Sequence, residues 1–241
     1  MEGREGMTSF ILVPGAGGSA WYWHRVVPLL EEAGHEAIAV DLPGDDERAG
    51  LDVYADIVVR AIGARARVVL IAQSLAGFSA PLVCARVPVR MLVLVNAMIP
   101  VPNETAGDWW QNTGSLEARA DAARRKGYSE TFDLPTYFLH DVPEDVAREG
   151  AVHQRPEAKI AFTQPCRFEA WPEVPIRVVV GRDDRFFPSE FQERIARERL
   201  AMGIDEIAGG HLVALSNPRA LADRILAYAS APCAPRASRD S

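Results

Sequence analysis

Val68-Val-Leu-Ile-Ala-Gln-Ser-Leu-Ala-Gly77 runs from an apolar stretch directly into a helical pattern, with Ser74 at the junction. The apolar part does not alternate with polar residues, so it reads as a strand covered on both faces. A serine held on a sharp strand-to-helix turn has strained backbone geometry and needs small neighbours. Ala72, Ala76 and Gly77 meet that demand. The turn would raise the hydroxyl above the carboxyl end of the strand, at a helix N-terminus that favours developing negative charge. Ala72 stands in place of the first glycine of the usual Gly-x-Ser-x-Gly spacing, so the stretch alone is equally an N-cap serine opening an ordinary helix.

Outward from this stretch, similar apolar runs recur at Phe10–Val13, Ala37–Val40, Met91–Val95 and Ile176–Val180. Helical patterns lie between and after them: His24–Ala33, Leu51–Ile62, Leu75–Ala85, Ser189–Leu200 and Pro218–Ala229. Strand alternating with helix is the signature of a parallel sheet with helices on both faces, so the expected class is α/β. The alternation breaks between Pro100 and Pro175, where aromatic residues gather: Trp109, Trp110, Tyr128, Phe132, Tyr137, Phe138, Phe162, Phe168 and Trp171. Residues 100–175 therefore read as a helical cap inserted into a core made of 1–99 and 176–230, with exposed helices at Leu116–Lys126 and Pro143–Gly150. The Pro-, Ala- and Arg-rich end, 231–241, reads as a flexible tail.

At 241 residues the chain can bury a substantial single core, and its 48% hydrophobic and 24% charged composition is that of an ordinary globular protein. The net charge of −7 leaves no basic footprint for nucleic acid. Three widely spaced cysteines, Cys84, Cys166 and Cys233, form neither a disulfide framework nor a metal motif and are expected to be reduced thiols. The acidic start and the lack of any membrane-length apolar run argue against secretion or insertion, so the expected location is cytoplasmic. A homodimer is one assembly left open.

A serine hydroxyl is a weak nucleophile that needs a base within hydrogen-bond reach, itself oriented by an acid. Of five histidines, His24 and His35 flank the first helix, and His140 and His153 lie in the inserted stretch. His211 follows Ala208-Gly209-Gly210, whose glycines let a short loop turn over the sheet edge towards Ser74. The acid is sought between nucleophile and base, after a strand. Ile176-Arg-Val-Val-Val-Gly-Arg-Asp-Asp-Arg185 supplies two candidates, with Asp184 preferred over Asp183. No carboxylate follows Met91–Val95, which ends in Asn96-Ala97, and Asp205 and Glu206, on or beside a short strand, read as structural or solvated. Backbone donors for an oxyanion are expected at Ala16, in the glycine-rich loop Pro14–Gly18, and at Leu75. That loop lacks both Gly-x-Gly-x-x-Gly spacing and a Walker lysine, which argues against nucleotide binding. His140 reads either as facing the pocket or as capping a turn, with the turn preferred.

With these residues in place the chain resembles the α/β-hydrolase superfamily over almost its whole length. The stretch Leu12–His35 is similar to the start of plant methyl-ester esterases and the related hydroxynitrile lyases, and Tyr137-Phe-Leu-His-Asp-Val-Pro143 resembles a cap phrase of bacterial esterase-like proteins. The resemblance implies a mostly parallel central sheet, with the cap inserted after the sixth strand of the family's own count. It also implies an esterase acting on a small-molecule carboxylic ester through Ser74, Asp184 and His211, without cofactor or metal. Two positions depart from the family: Pro14 and Gln73 stand where histidines are usual. The lyases typically carry threonine where Gly15 stands and lysine where Leu212 stands, which favours hydrolysis here. The alternative is a non-hydrolytic use of the fold, as a ligand-binding protein or a cofactor-free lyase.

Overall fold

The computed structural model describes residues 6–231; the expected tail from 232 onwards, with Cys233, lies outside the described residues. The chain runs β1 (Ser9–Val13), a 3-10 turn (Ala20–Trp23), α1 (Val27–Glu32), β2 (Glu36–Ala39), α2 (Leu51–Ile62), β3 (Val68–Gln73), α3 (Ala76–Cys84) and β4 (Met91–Val95). The inserted stretch follows, as α4 (Ala106–Asn112), α5 (Ser115–Lys126), α6 (Leu134–Tyr137), α7 (Glu144–Gly150), a second 3-10 turn (Ala151–His153) and α8 (Lys159–Thr163). The chain then returns through β5 (Ile176–Gly181), α9 (Ser189–Leu200), β6 (Asp205–Ile207), α10 (Val213–Ser216) and α11 (Pro218–Ser230).

All strand pairs are parallel, in the order β2-β1-β3-β4-β5-β6. Side chains alternate across the sheet, so each apolar strand feeds two layers at once. Ile11, Val13, Leu70, Ala72, Leu92 and Leu94 pack with Val58, Phe78, Phe191 and Ile195 from α2, α3 and α9. Phe10, Leu12, Val69, Ile71, Met91 and Val93 pack with Leu30, Leu221 and Ile225 from α1 and α11. Each such fully buried side chain contributes about 1.5–3 kcal/mol. Continuous apolar runs are what a sheet sandwiched between two helical layers demands.

The chain leaves β1 for β2 on one side and later reaches β3 on the other, which makes the junction of β1 and β3 the switch point of the sheet. In open parallel sheets the crevice beyond the carboxyl ends of such strands is where ligands bind. Val13 pairs with Ala72 there, so Pro14–Gly18 and Ser74 emerge side by side.

Two expectations needed adjustment. The helix expected over His24–Ala33 is the shorter α1, Val27–Glu32, preceded by a turn at 24–26, because Pro28 fits only the first turn of a helix and sets its start. The α5 helix is exposed only at 116, 117 and 124–126, while Ser115, Ala122 and Ala123 are buried, so small residues face the protein. Among the described residues no helix is long and apolar enough to cross a membrane, and Cys84 and Cys166 are free thiols. Burial pushes both thiols up to about 12.

Candidate active site

Ser74 has φ of 52°, a left-handed conformation that a β-carbon disfavours. The surrounding backbone holds it there. Its N–H donates to the Val95 carbonyl at 3.2 Å, and its own carbonyl accepts from Gly77 at 3.1 Å and Met98 at 3.0 Å. The crossing is so close that a β-carbon on Gly77 would lie 1.8 Å from the Met98 carbonyl oxygen, which explains that glycine. Strain retained at a residue whose neighbours over-determine it is a mark of a functional position.

Ser74 Oγ lies 3.1 Å from His211 Nε2, and His211 Nδ1 lies 2.8 Å from Asp184 Oδ2. The three groups are 8%, 2% and 1% exposed, so water competes little for these contacts. A carboxylate only accepts, so the proton between His211 and Asp184 sits on Nδ1 and leaves Nε2 free to accept from the serine hydroxyl. Asp184 is fixed in turn: its Oδ1 accepts from the Phe186 and Phe187 N–H groups, each at 2.8 Å. Phe138, Phe186 and Phe187 surround the imidazole with ring centroids 4.9, 5.0 and 5.1 Å away. Asp183, by contrast, is exposed, and its carboxylate accepts from Gly209 and pairs with Arg182 at 3.5 Å.

Two polar residues that sequence reasoning missed hold the loops in place. Asn96 is fully buried at φ of 44°; its amide nitrogen donates to the Gly210 and His211 carbonyls, both at 3.0 Å, while its oxygen accepts from Gly181 at 2.7 Å. It ties the ends of β4 and β5 to the His211 loop. A buried asparagine able to occupy αL straight after an apolar strand was the available signal. Gln73 Oε1 accepts from the Gly15 N–H at 2.9 Å and so pins the glycine loop beside Ser74. A β-carbon on Gly15 would meet that oxygen at 2.4 Å, so a side chain at 15 and this glutamine exclude each other.

Ala16 lines the cavity in front of Ser74, and Leu75 follows Ser74 at the start of α3. Among the described residues neither N–H donates to a protein acceptor. The cavity is about 300 Å³, with Trp21, Phe138, Leu139, Val146, Leu212 and Leu215 supplying apolar wall. Of the nine aromatic residues in the inserted stretch, Phe138 alone faces it. Trp109, Tyr137 and Phe168 are buried in packing instead.

Of the other histidines, His153 lines the same cavity, while His24, His35 and His140 do not. Trp21 is stacked between His24 and His153, at 4.2 and 5.0 Å, and His35 accepts from the Thr8 N–H. The expectation that His140 caps a turn needs correction. Its buried Nε2 has no hydrogen-bond partner and sits 3.9 Å from Asp141 Oδ1. Burial lowers its pKa, a trend that the Asp141 charge opposes and Arg185 reinforces. Asp205 accepts from Tyr228 and Glu206 from Ser189, which makes both structural.

Comparison with known proteins agrees with this architecture. The model described as Alpha/beta hydrolase family matches residues 10–224. An alpha-hydroxynitrile lyase of Arabidopsis thaliana is 25% identical over 253 residues, covering 92% of this chain and 96% of that protein. Methyl jasmonate esterase 1 of Vitis vinifera is 32% identical over 164 residues, which is 61% of this chain and 60% of that protein. Among solved structures, polyneuridine aldehyde esterase superposes with a TM-score of 0.75 at 22% identity, over 93% of this chain and 100% of that one. A pyrethroid hydrolase from Sphingobium faniae JZ-2 gives 0.74 at 22%, over 94% and 98%. At such identity a structural likeness speaks for the fold alone. The family match, however, runs from the first strand through the last helix, and the chain belongs to the alpha/beta hydrolase family.

Proposed function

We propose that the protein is a serine hydrolase that cleaves a small-molecule carboxylic ester, with Ser74 as nucleophile, His211 as general base and Asp184 as the orienting acid. The observation that carries this reading is the unbroken contact line from Asp184 Oδ2 through His211 to Ser74 Oγ, at 2.8 and 3.1 Å. Ser74 Oγ attacks the ester carbonyl as its proton passes to His211 Nε2, and the Asp184 carboxylate stabilises the imidazolium that results. The Ala16 and Leu75 N–H groups receive the oxyanion. Collapse of the tetrahedral species expels the alcohol, which takes the proton from His211. Water, deprotonated by the same imidazole, then releases the acid and restores Ser74.

The similarity to an alpha-hydroxynitrile lyase raises cyanohydrin cleavage as a second reading. It is disfavoured because the wall next to His211 is the apolar side chain of Leu212, which offers a cyanide leaving group no positive charge. Arg155, the charged residue among those lining the cavity, already pairs with Asp41 at 2.8 Å. The cavity therefore favours neutral, apolar esters.

In the decisive assay, Ser74→Ala lowers turnover of a short p-nitrophenyl ester by a factor on the order of a thousand or more. Undiminished turnover in that variant ends the proposal. Release of cyanide from mandelonitrile, with no ester hydrolysis, moves the assignment to the lyase.

A further inference from the structure

Two glycines flank the groups that the proposed reaction relies on. Gly210 immediately precedes His211, and Gly17 immediately follows Ala16. Each donates its N–H, at 2.5 Å, to a carboxylate of the segment between β4 and β5: Gly210 to Asp141 Oδ2, Gly17 to Glu157 Oε2. The absence of a side chain at both glycines lets that segment close in, and Gly17 also sits at φ of 84°. A β-carbon on Gly210 would meet Asp141 Oδ1 at 2.7 Å and His140 Nε2 at 2.8 Å, and one on Gly17 would meet the Arg155 carbonyl oxygen at 2.5 Å.

We infer that Asp141 and Glu157 are positioning residues, holding the base-bearing loop and the oxyanion loop from above; the inference rests on the serine-hydrolase reading. Bonds from an amide to a charged acceptor are stronger than neutral ones, and each bond here acts one residue away from a group whose placement sets the rate. The Glu157 carboxylate and its stretch of chain are themselves anchored. Tyr54, a buried residue of α2, donates to Glu157 Oε1 at 2.6 Å, and the Ala158 N–H donates to the Gly44 carbonyl at 2.6 Å. Arg155 places both terminal nitrogens on Asp41, at 2.8 and 3.0 Å, tying the same strap to the end of β2. Asp141 keeps Oδ1 buried without a partner, a cost that packing alone does not explain and that its other oxygen, on Gly210, does. The inserted segment is thus part of the frame that assembles the site as well as its roof.

The test compares Asp141→Ala and Glu157→Ala with Asp141→Asn and Glu157→Gln. The amides keep an oxygen able to accept from Gly210 or Gly17; alanine does not. The alanine variants are expected to lose roughly 10- to 100-fold in kcat with KM within about twofold, and the amide variants to recover most of it. The rate at which a fluorophosphonate labels Ser74 should fall in parallel. Amide hydrogen exchange should quicken at residues 208–212 in Asp141→Ala and at 15–18 in Glu157→Ala. Should an alanine chain not fold, Asp141→Ser and Glu157→Ser, too short to reach the glycines, replace it. Folded variants with unchanged kcat, labelling and exchange overturn the inference. If the unaltered chain neither hydrolyses esters nor labels at Ser74, the hydrolase reading has failed. Exchange then decides the loop-holding separately: faster sustains it, unchanged removes it.

Discussion

Ser74 is held at φ of 52° by hydrogen bonds to Val95, Gly77 and Met98, in a conformation that costs a residue with a β-carbon about 1–2 kcal/mol. That cost is what raises the hydroxyl towards His211, so reactivity and stability are opposed at this one position. Glycine relieves the strain but adds entropy to the unfolded chain, which offsets part of the gain. Ser74→Gly is therefore expected to be more stable than Ser74→Ala by roughly 0.5–1 kcal/mol, although both lack the hydroxyl. Thermal unfolding checks this, and a glycine variant that melts below the alanine one would show that the turn is unstrained. Gln73 and Gly15 make a matched pair on the same turn: the glutamine occupies the space that a side chain at 15 would take, and in exchange fixes the loop carrying Ala16.

The loop between α6 and α7 couples the segment between β4 and β5 to the loop that carries His211. His140 is half-buried there, its Nε2 3.9 Å from Asp141 Oδ1, with Arg185, Asp184 and Asp183 as the further charges acting on it. Burial is the largest influence and disfavours the charged form; Asp141 opposes it without overcoming it. The unfolded chain takes up a proton near the ordinary value of 6.5, while the folded chain does so only at lower pH. The unfolded state thus binds more protons in that window, and stability present above 6.5 is lost as pH falls through it towards the lowered folded value. His140→Gln removes this component, so the drop in melting temperature between about pH 7 and about pH 5.5 should be smaller in the variant. An identical drop in both chains would place the acid sensitivity elsewhere. Asn96 acts between elements in the same way, joining two strand ends to one loop through three hydrogen bonds.

Across the whole molecule, the apolar runs located β1 to β5 to within a residue or two, because a strand buried on both faces leaves a mark in composition that needs no partner to be read. The long amphipathic helices α2, α9 and α11 were equally legible, α2 and α9 to the residue. Short helices α4, α6 and α8 were not, since four to seven residues carry too little periodicity; the caps at Thr105 and Asp133 were the signals available. Ser74, Asp184 and His211 were visible as a set because the elbow, the strand-end aspartate and the glycine-flanked histidine occur in the order the fold requires. Gln73, Asn96, Asp141 and Glu157 were not, because each acts by accepting or donating a hydrogen bond to a residue far away in sequence, and no local pattern records the partner. Those four are the means by which a parallel sheet, two turns and an inserted segment bring three side chains together. The most direct test of that assembly is to quench the enzyme in acid during turnover of a slowly hydrolysed p-nitrophenyl ester and weigh the peptide that contains residue 74. One acyl group is expected, carried on Ser74 and absent in Ser74→Ala. Steady turnover with no acyl group on that peptide, or with the group on another residue, would contradict it.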